Sequence, residues 1–535
     1  MTIPKKHPAK RPSTPDGIPE RTLFLLIMTM VTLWAVIAVV RAYPSSFYPR
    51  FWDEAVYAMD VFDPANLFMD FREITAYAPT KLGYGIPLLG AVSLFGENGI
   101  MYFSTAIWAL IVFLCGLVTW RRFGYRAGGI LFALLSFSPF LGKYIAEAAP
   151  TLLEALLFTL LWIACLGGRF WITGIVVGLI AFVDFKWALP AGLAVTCIEA
   201  LPSASRTVTL RLLRILGTGT VALAILGVAF ILHPPYGEFL RHYITGHEGL
   251  VQFAPSFIFA YYLLLFGAAP ATVAAGAAWL WPEARHAILK GTGRQPRAFL
   301  TALILCTVPI LFHSVMGTHK SLRFFAVLFP LFGVVLGVSV AALLESIGAL
   351  LKRAGGGARQ SGPFVLPVLA ALLIVIGSDG PARHLHMRAG IADALLTIAN
   401  RHEGAGTITS YNWPVVQYGW GHPFSTPSFA MWGLLRSDLW MLLDNMMDRT
   451  IIESRLELQP NAGIDADSLW TIHEHFRARF PELFRVPANF YASDYYLAES
   501  TTLGIPTLRR WQAMRDSIPN EFVVYRVDFD RLKNP

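Results

Sequence analysis

Long apolar runs separated by short polar stretches dominate the chain as far as residue 378. A run of roughly 15 to 25 apolar residues is what an α-helix needs to cross a hydrocarbon core, where every backbone polar group has to be satisfied within the segment. The pattern predicts spans over residues 23–41, 100–120, 127–141, 151–167, 171–185, 187–201, 212–232, 256–281, 298–315, 322–346 and 363–378, about eleven in all. A shorter stretch, GYGIPLLGAVSLFG at 83–96, is interrupted by Gly and Pro. It predicts a segment that enters and leaves on one side or lies at the interface. From residue 379 the pattern changes to helix-like segments (AGIADALLTIANRH, DSLWTIHEHFRARF) alternating with strand-like ones (GTITSY, NFYASDYYLA, EFVVYRVDF). The fold class expected is a polytopic α-helical membrane protein with a C-terminal soluble α/β domain. Its parts are a basic tail at 1–22, a membrane domain at 23–378 whose first loop is 42–86, and a soluble domain at 379–535.

Composition agrees with the pattern: of 535 residues, 55% are hydrophobic and only 15% charged. The formal charge of +8 could suggest nucleic acid, but in a multispanning chain a basic balance reflects lysines and arginines that hold loops in the cytoplasm, and no nucleic-acid partner is expected. With the N-terminus inside and the first apolar run read as an uncleaved anchor, the cytoplasmic loops become WRRFGYR, GGRF, LPSASRTVTLRLLR, WPEARHAILKGTGRQPR and LKRAGGGARQ. All of them carry Arg or Lys, as the positive-inside bias requires. Residues 42–86, 142–150 and 233–255, the stretch MGTHKSLR and the C-terminal domain then fall on the other face. The four cysteines all lie in predicted spans, so no disulfide framework is expected.

That topology makes GTHKSLRF, residues 317–324, conspicuous. His319, Lys320 and Arg323 gather on the side where the charge bias disfavours cations, and at the start of a helix their spacing lets them share a face and grip one phosphate. Snorkelling into headgroups is the simpler alternative. On the same side the first loop carries Asp53 and Glu54 in FWDEAVY, either of which could act as a general base if the aromatic neighbours Phe51, Trp52 and Tyr57 anchor the segment. An ordinary solvated loop is the alternative there. Further candidates to line a cavity at this edge are Glu73, Tyr77, Lys81, Lys143, Glu147, Asp184 and Lys186, with Tyr144 and Glu154 nearby. Asp184 and Lys186, two apart between short spans, could simply neutralise each other, yet charge beside a span is costly enough to flag function. Arg241, His242, His247 and Glu248 suit acceptor contacts or an interfacial helix equally. HEH at 473–475 and HLHMR at 384–388 lack the spacing of a zinc helix, and no metal site is assigned.

HKSLRF is similar to the H-K-E-x-R-F signature of the polyprenyl-phosphate-mannose mannosyltransferases that build GPI anchors and N-glycans, within the glycosyltransferase C (GT-C) superfamily. FWDEAVY resembles their first-loop acidic motif, and FREITAYAPTKLGYGIPLL the segment after it, with Glu73, Tyr77 and Pro87 in matching places. The third signature position is Ser321 rather than Glu, a departure that bears on donor and acceptor more than on fold. The resemblance covers residues 20–345. It implies a GT-C-like membrane core, a polyprenyl-phosphate-sugar donor (mannose or another hexose or pentose), a lipid- or glycan-linked acceptor and an inverting reaction at the extracytoplasmic face of a bacterial inner membrane. In it Asp53 or Glu54 would be the base, and His319, Lys320 and Arg323 would hold the donor phosphate. No cofactor is implied, and a divalent ion is left open. A polytopic lipid transporter or flippase is the rival reading; such proteins place their sites near the midplane between repeats, whereas the charges here cluster at one edge.

Overall fold

Each apolar run that the computed structural model describes is helical, because a helix satisfies its own backbone groups where water cannot. The described residues are 22–37 in part, 57–58, 81–137, 141–145 in part, 147–201, 207–232, 236–237, 269–290, 295–315, 322–353, 397, 401, 407–410, 449–454, 478, 480–487 and 521–527. In chain order the helices are α1 (Leu82–Phe95), α2 (Asn98–Phe123), α3 (Tyr125–Phe137), α4 (Thr151–Gly167), α5 (Phe170–Val183), α6 (Ala188–Ala200), α7 (Val208–Leu232), α8 (Ala269–Leu280), α9 (Pro282–Lys290), α10 (Gln295–Val315) and α11 (Leu322–Arg353). A single 3-10 turn, Phe185–Trp187, joins α5 to α6. Four of these helices, α2, α7, α10 and α11, are long and apolar enough to cross a membrane outright, and the chain is an integral membrane protein. The predicted span at 363–378 lies outside the described residues.

The axis of the bundle is α11. Of its most apolar stretch 89% is buried, and it packs on α2, α3, α4, α8, α9 and α10. Where helices meet most closely, a missing side chain makes the room. A Cβ on Gly174 would stand 2.7 Å from the Thr218 carbonyl oxygen, and one on Gly178 would stand 2.7 Å from Ile225 Cβ. These two glycines lie one turn apart on α5 and let α7 settle against it, the small-xxx-small device of membrane helices. The first span meets the bundle in a similar way, with Met28 Cε filling the space over Gly116 of α2.

Side-chain contacts sort the helix ends into two sets. At one end the Arg214 guanidinium donates to both carboxylate oxygens of Glu199, at 2.9 and 2.8 Å, and to the Gly168 carbonyl at 2.7 Å. It thereby ties the end of α4, the end of α6 and the start of α7 together. Trp162 donates to the Ala298 carbonyl at 3.2 Å, and Arg126 pairs with Glu345 at 3.5 Å, which adds the starts of α10 and α3 and the last third of α11. The opposite end collects the starts of α1, α4, α6 and α11 with the ends of α5 and α10. There α1 crosses α2 rather than running beside it: Tyr84 meets Phe103 and Phe95 meets Tyr102, so both ends of the short helix touch one turn of its neighbour.

Four strands follow, β1 (Thr407–Ser410), β2 (Arg449–Ser454), β3 (Glu482–Pro487) and β4 (Glu521–Val527), in the sheet order β1-β2-β4-β3. The β1–β2 pairing is parallel and the other two are antiparallel, with a register shift in β3 between Glu482 and Phe484. Val523 and Val524 are both fully buried. Successive strand residues point to opposite faces, so β4 is covered on both.

Candidate active site

Asp184 makes the site. It ends α5 in extended backbone, and its Oδ1 accepts from the Lys186 amide at 3.2 Å, capping the 3-10 turn as Asp commonly does at a helix start. Its other oxygen, Oδ2, then faces two ammonium groups: Lys186 Nζ at 2.8 Å and Lys81 Nζ at 3.1 Å. Lys81 directly precedes α1 and reaches Asp184 because Gly83 lets α1 approach α5. A Cβ there would stand 2.8 Å from the Phe182 carbonyl carbon and the Val183 nitrogen. The carboxylate and Lys81 are buried, whereas the Lys186 side chain keeps 25% of its surface exposed.

Aromatic rings carry this cluster outward in two directions. Lys81 Nζ lies 5.3 Å from the centre of the Tyr57 ring, which meets Tyr84 edge-on. Lys186 Nζ lies 4.6 Å from the centre of the Phe324 ring. A cation over an aromatic face is held by the ring quadrupole, more strongly where water is scarce. Tyr57 closes FWDEAVY and Phe324 closes HKSLRF, so the two motifs end on opposite sides of one lysine–aspartate–lysine cluster. Arg323, partly buried at the start of α11, is within electrostatic reach of Lys186.

Trp187 forms the floor. Fully buried, it meets Phe158, His313 and Phe324 at centroid distances of 5.3, 4.7 and 5.6 Å, and its indole N–H donates to Glu154 Oε2 at 3.0 Å. Glu154, in the first turn of α4, lies beside Asp184 and both lysines. Tyr236 stands just past α7 and packs on Leu82, Ala229 and Phe182, also next to the cluster.

Of the residues expected from the sequence, the structure brings Lys81, Asp184, Lys186 and Arg323 together. Asp184 and Lys186 do pair, but as part of a trio with Lys81. Glu147 is buried at the corner where its carbonyl accepts from Ser104. Asp53, Glu54, Glu73, Tyr77, Lys143, His319 and Lys320 lie outside the described residues. Trp187, His313 and Tyr236 were not foreseen. Among the described residues no group of three or more His, Cys, Asp or Glu side chains could hold a metal ion.

No family model matches the chain, and no curated protein matches it in sequence. Solved structures do match. The chain is similar to ArnT from Cupriavidus metallidurans in the apo state, at 12% identity over 96% of this chain and 99% of that one, with a TM-score of 0.56. The same protein bound to undecaprenyl phosphate gives 12% identity, 94% and 98% coverage and a TM-score of 0.56. AglB, an archaeal oligosaccharyltransferase from Archaeoglobus fulgidus, in complex with an inhibitory peptide and a dolichol-phosphate, gives 13%, 87%, 73% and 0.49, too low a score to add weight. Coverage close to end to end on both sides gives this chain the fold of ArnT.

Proposed function

We propose that this chain is an inverting glycosyltransferase that moves a sugar, mannose or another hexose or pentose, from a polyprenyl-phosphate donor to a lipid- or glycan-linked acceptor at the extracytoplasmic face of the membrane. One observation carries the reading. The contacts run unbroken from Tyr57 through Lys81, Asp184 and Lys186 to Phe324, joining the loop that holds two candidate acids to the segment that holds three candidate cations. The ArnT fold supports it, and ArnT has been solved with undecaprenyl phosphate bound.

A polyprenyl phosphate departs as a stabilised anion, so the leaving group needs cations more than a general acid. Lys186 and Arg323, with His319 and Lys320 just ahead of α11, would stabilise charge as it develops on the phosphate. Asp53 or Glu54, four and three residues before Tyr57, would take the acceptor's hydroxyl proton. The acceptor oxygen then bonds to the anomeric carbon on the face opposite the departing phosphate oxygen, which inverts the configuration. The test is transfer of label from radiolabelled polyprenyl-phosphate sugars to envelope lipid or glycan by the purified chain. Labelled product from the parent, and none from the double variant Asp53→Asn/Glu54→Gln, is the expected result. Parental rates in that variant would overturn the assignment of the base, and movement of lipid without any product would favour a transporter.

A further inference from the structure

Tyr236 is fully buried, yet its hydroxyl has no hydrogen-bond partner among the described residues. Its ring is fixed by Leu82, which follows Lys81, and by Phe182, two residues before Asp184, with Phe230 of α7 at a centroid distance of 5.5 Å. Burial and the nearby Asp184 charge push the phenol up to about 12, so it stays protonated and serves as a donor. An enclosed O–H without an acceptor forfeits the bond it would make in water. Nothing in the cluster takes it. Asp184 is engaged already, Oδ1 by the Lys186 amide and Oδ2 by the two ammonium groups, and ammonium groups only donate. The other carboxylate of the cluster, Glu154 on α4, accepts the Trp187 indole N–H at Oε2, and its Oε1 takes nothing from Tyr236.

We infer that the Tyr236 hydroxyl is a phosphate ligand, donating to an oxygen of the polyprenyl phosphate when the head group seats against the lysine–aspartate–lysine cluster. The inference deepens the polyprenyl-phosphate reading above and rests on it. A phenol O–H brings no charge, so its contribution does not depend on how the surrounding lysines and carboxylates balance one another. It bonds an anionic oxygen more strongly than a neutral one, and so favours phosphate over water. Lys186, 25% exposed, marks where the head group enters, and Tyr236, wholly enclosed, marks how deep it goes.

Equilibrium binding of undecaprenyl phosphate to the full-length chain in nanodiscs, with undecaprenol as the uncharged control, tests this. Tyr236→Phe keeps the ring and removes the hydroxyl alone. It is expected to bind undecaprenyl phosphate about tenfold more weakly than the parent, to bind undecaprenol equally, and to melt no lower than the parent without ligand, since no bond of the resting protein is lost. Undecaprenyl phosphate carries no sugar, so a loss of that kind belongs to the phosphate. Equal phosphate affinity in the variant overturns the inference, and a lowered melting temperature alongside it would give the hydroxyl to a buried water instead. Inorganic phosphate is titrated as a third ligand: a loss confined to it would make the hydroxyl a seat for a soluble anion, which overturns the inference as well. If the parent binds undecaprenyl phosphate no better than undecaprenol, the polyprenyl-phosphate reading itself falls, which sets that failure apart from a failure of Tyr236 alone.

Discussion

Lys186, Lys81 and Trp187 carry different loads, and substitution separates them. Lys186→Met removes the more exposed cation. Sugar transfer is expected to fall about 100- to 1,000-fold in kcat, the loss typical when one donor to a developing anion is removed, while thermal stability in detergent changes less. Lys81→Met breaks the buried pair from its enclosed side and is expected to destabilise the protein by roughly 3 kcal/mol, read as a lowered melting temperature in a thermal-shift assay. Trp187→Phe keeps the ring packing and loses the N–H bond to Glu154, a change of about 1.5 to 3 kcal/mol for a hydrogen bond to a carboxylate. Asp184 and Lys186 were legible in the sequence because charges interrupt an apolar run, which is expensive unless it serves something. Their link to Lys81 was not, since it depends on how closely α1 packs on α5. Trp187 and His313 were invisible for a different reason: an aromatic or a lone His at the end of an apolar run reads the same whether it faces lipid or a buried acid.

Between elements, the telling contact is Gly83 against the backbone of Phe182 and Val183. Gly83→Val would force α1 away from α5 and pull Lys81 off Asp184. A loss of about 1 to 3 kcal/mol in stability, as for other overpacked sites, is expected together with a fall in transfer rate, whereas Gly90→Val, with open space around it, should leave both unchanged. Thermal-shift and transfer assays on the two variants check this. The helices were mostly legible: the predicted spans at 151–167, 171–185, 187–201 and 298–315 match α4, α5, α6 and α10 to within a few residues, because the bilayer allows little but helix. The sheet was less so. GTITSY and EFVVYRVDF contain β1 and β4, but β2 (Arg449–Ser454) and β3 (Glu482–Pro487) escaped notice, being short and bordered by charge, with no alternation long enough to announce them. The helix α9 fell within what read as a basic loop, since nine mixed residues give little periodicity.

For the whole molecule, the two sets of helix ends translate into an orientation that can be measured. The bundle carries the lysine cluster at one end and the Arg214 clamp at the other, and the proposed function needs the cluster outside. In a Cys197→Ser background, a membrane-impermeant thiol reagent applied to spheroplasts is expected to label Glu97→Cys and to spare Arg121→Cys, both positions being exposed. The reverse labelling would place the cluster inside and defeat the extracytoplasmic reading. One helix adds something to this picture. Only 11% of the most apolar stretch of α7 is buried, yet the chain just past its end puts Tyr236 against Leu82, next to Lys81. On one face α7 is held by α5, where Gly174 and Gly178 let it approach, and its other face is left to the hydrocarbon. Stripping lipid from that face would leave α5 as its main neighbour, so delipidation is expected to loosen α7, and Tyr236 with it, before the rest of the bundle.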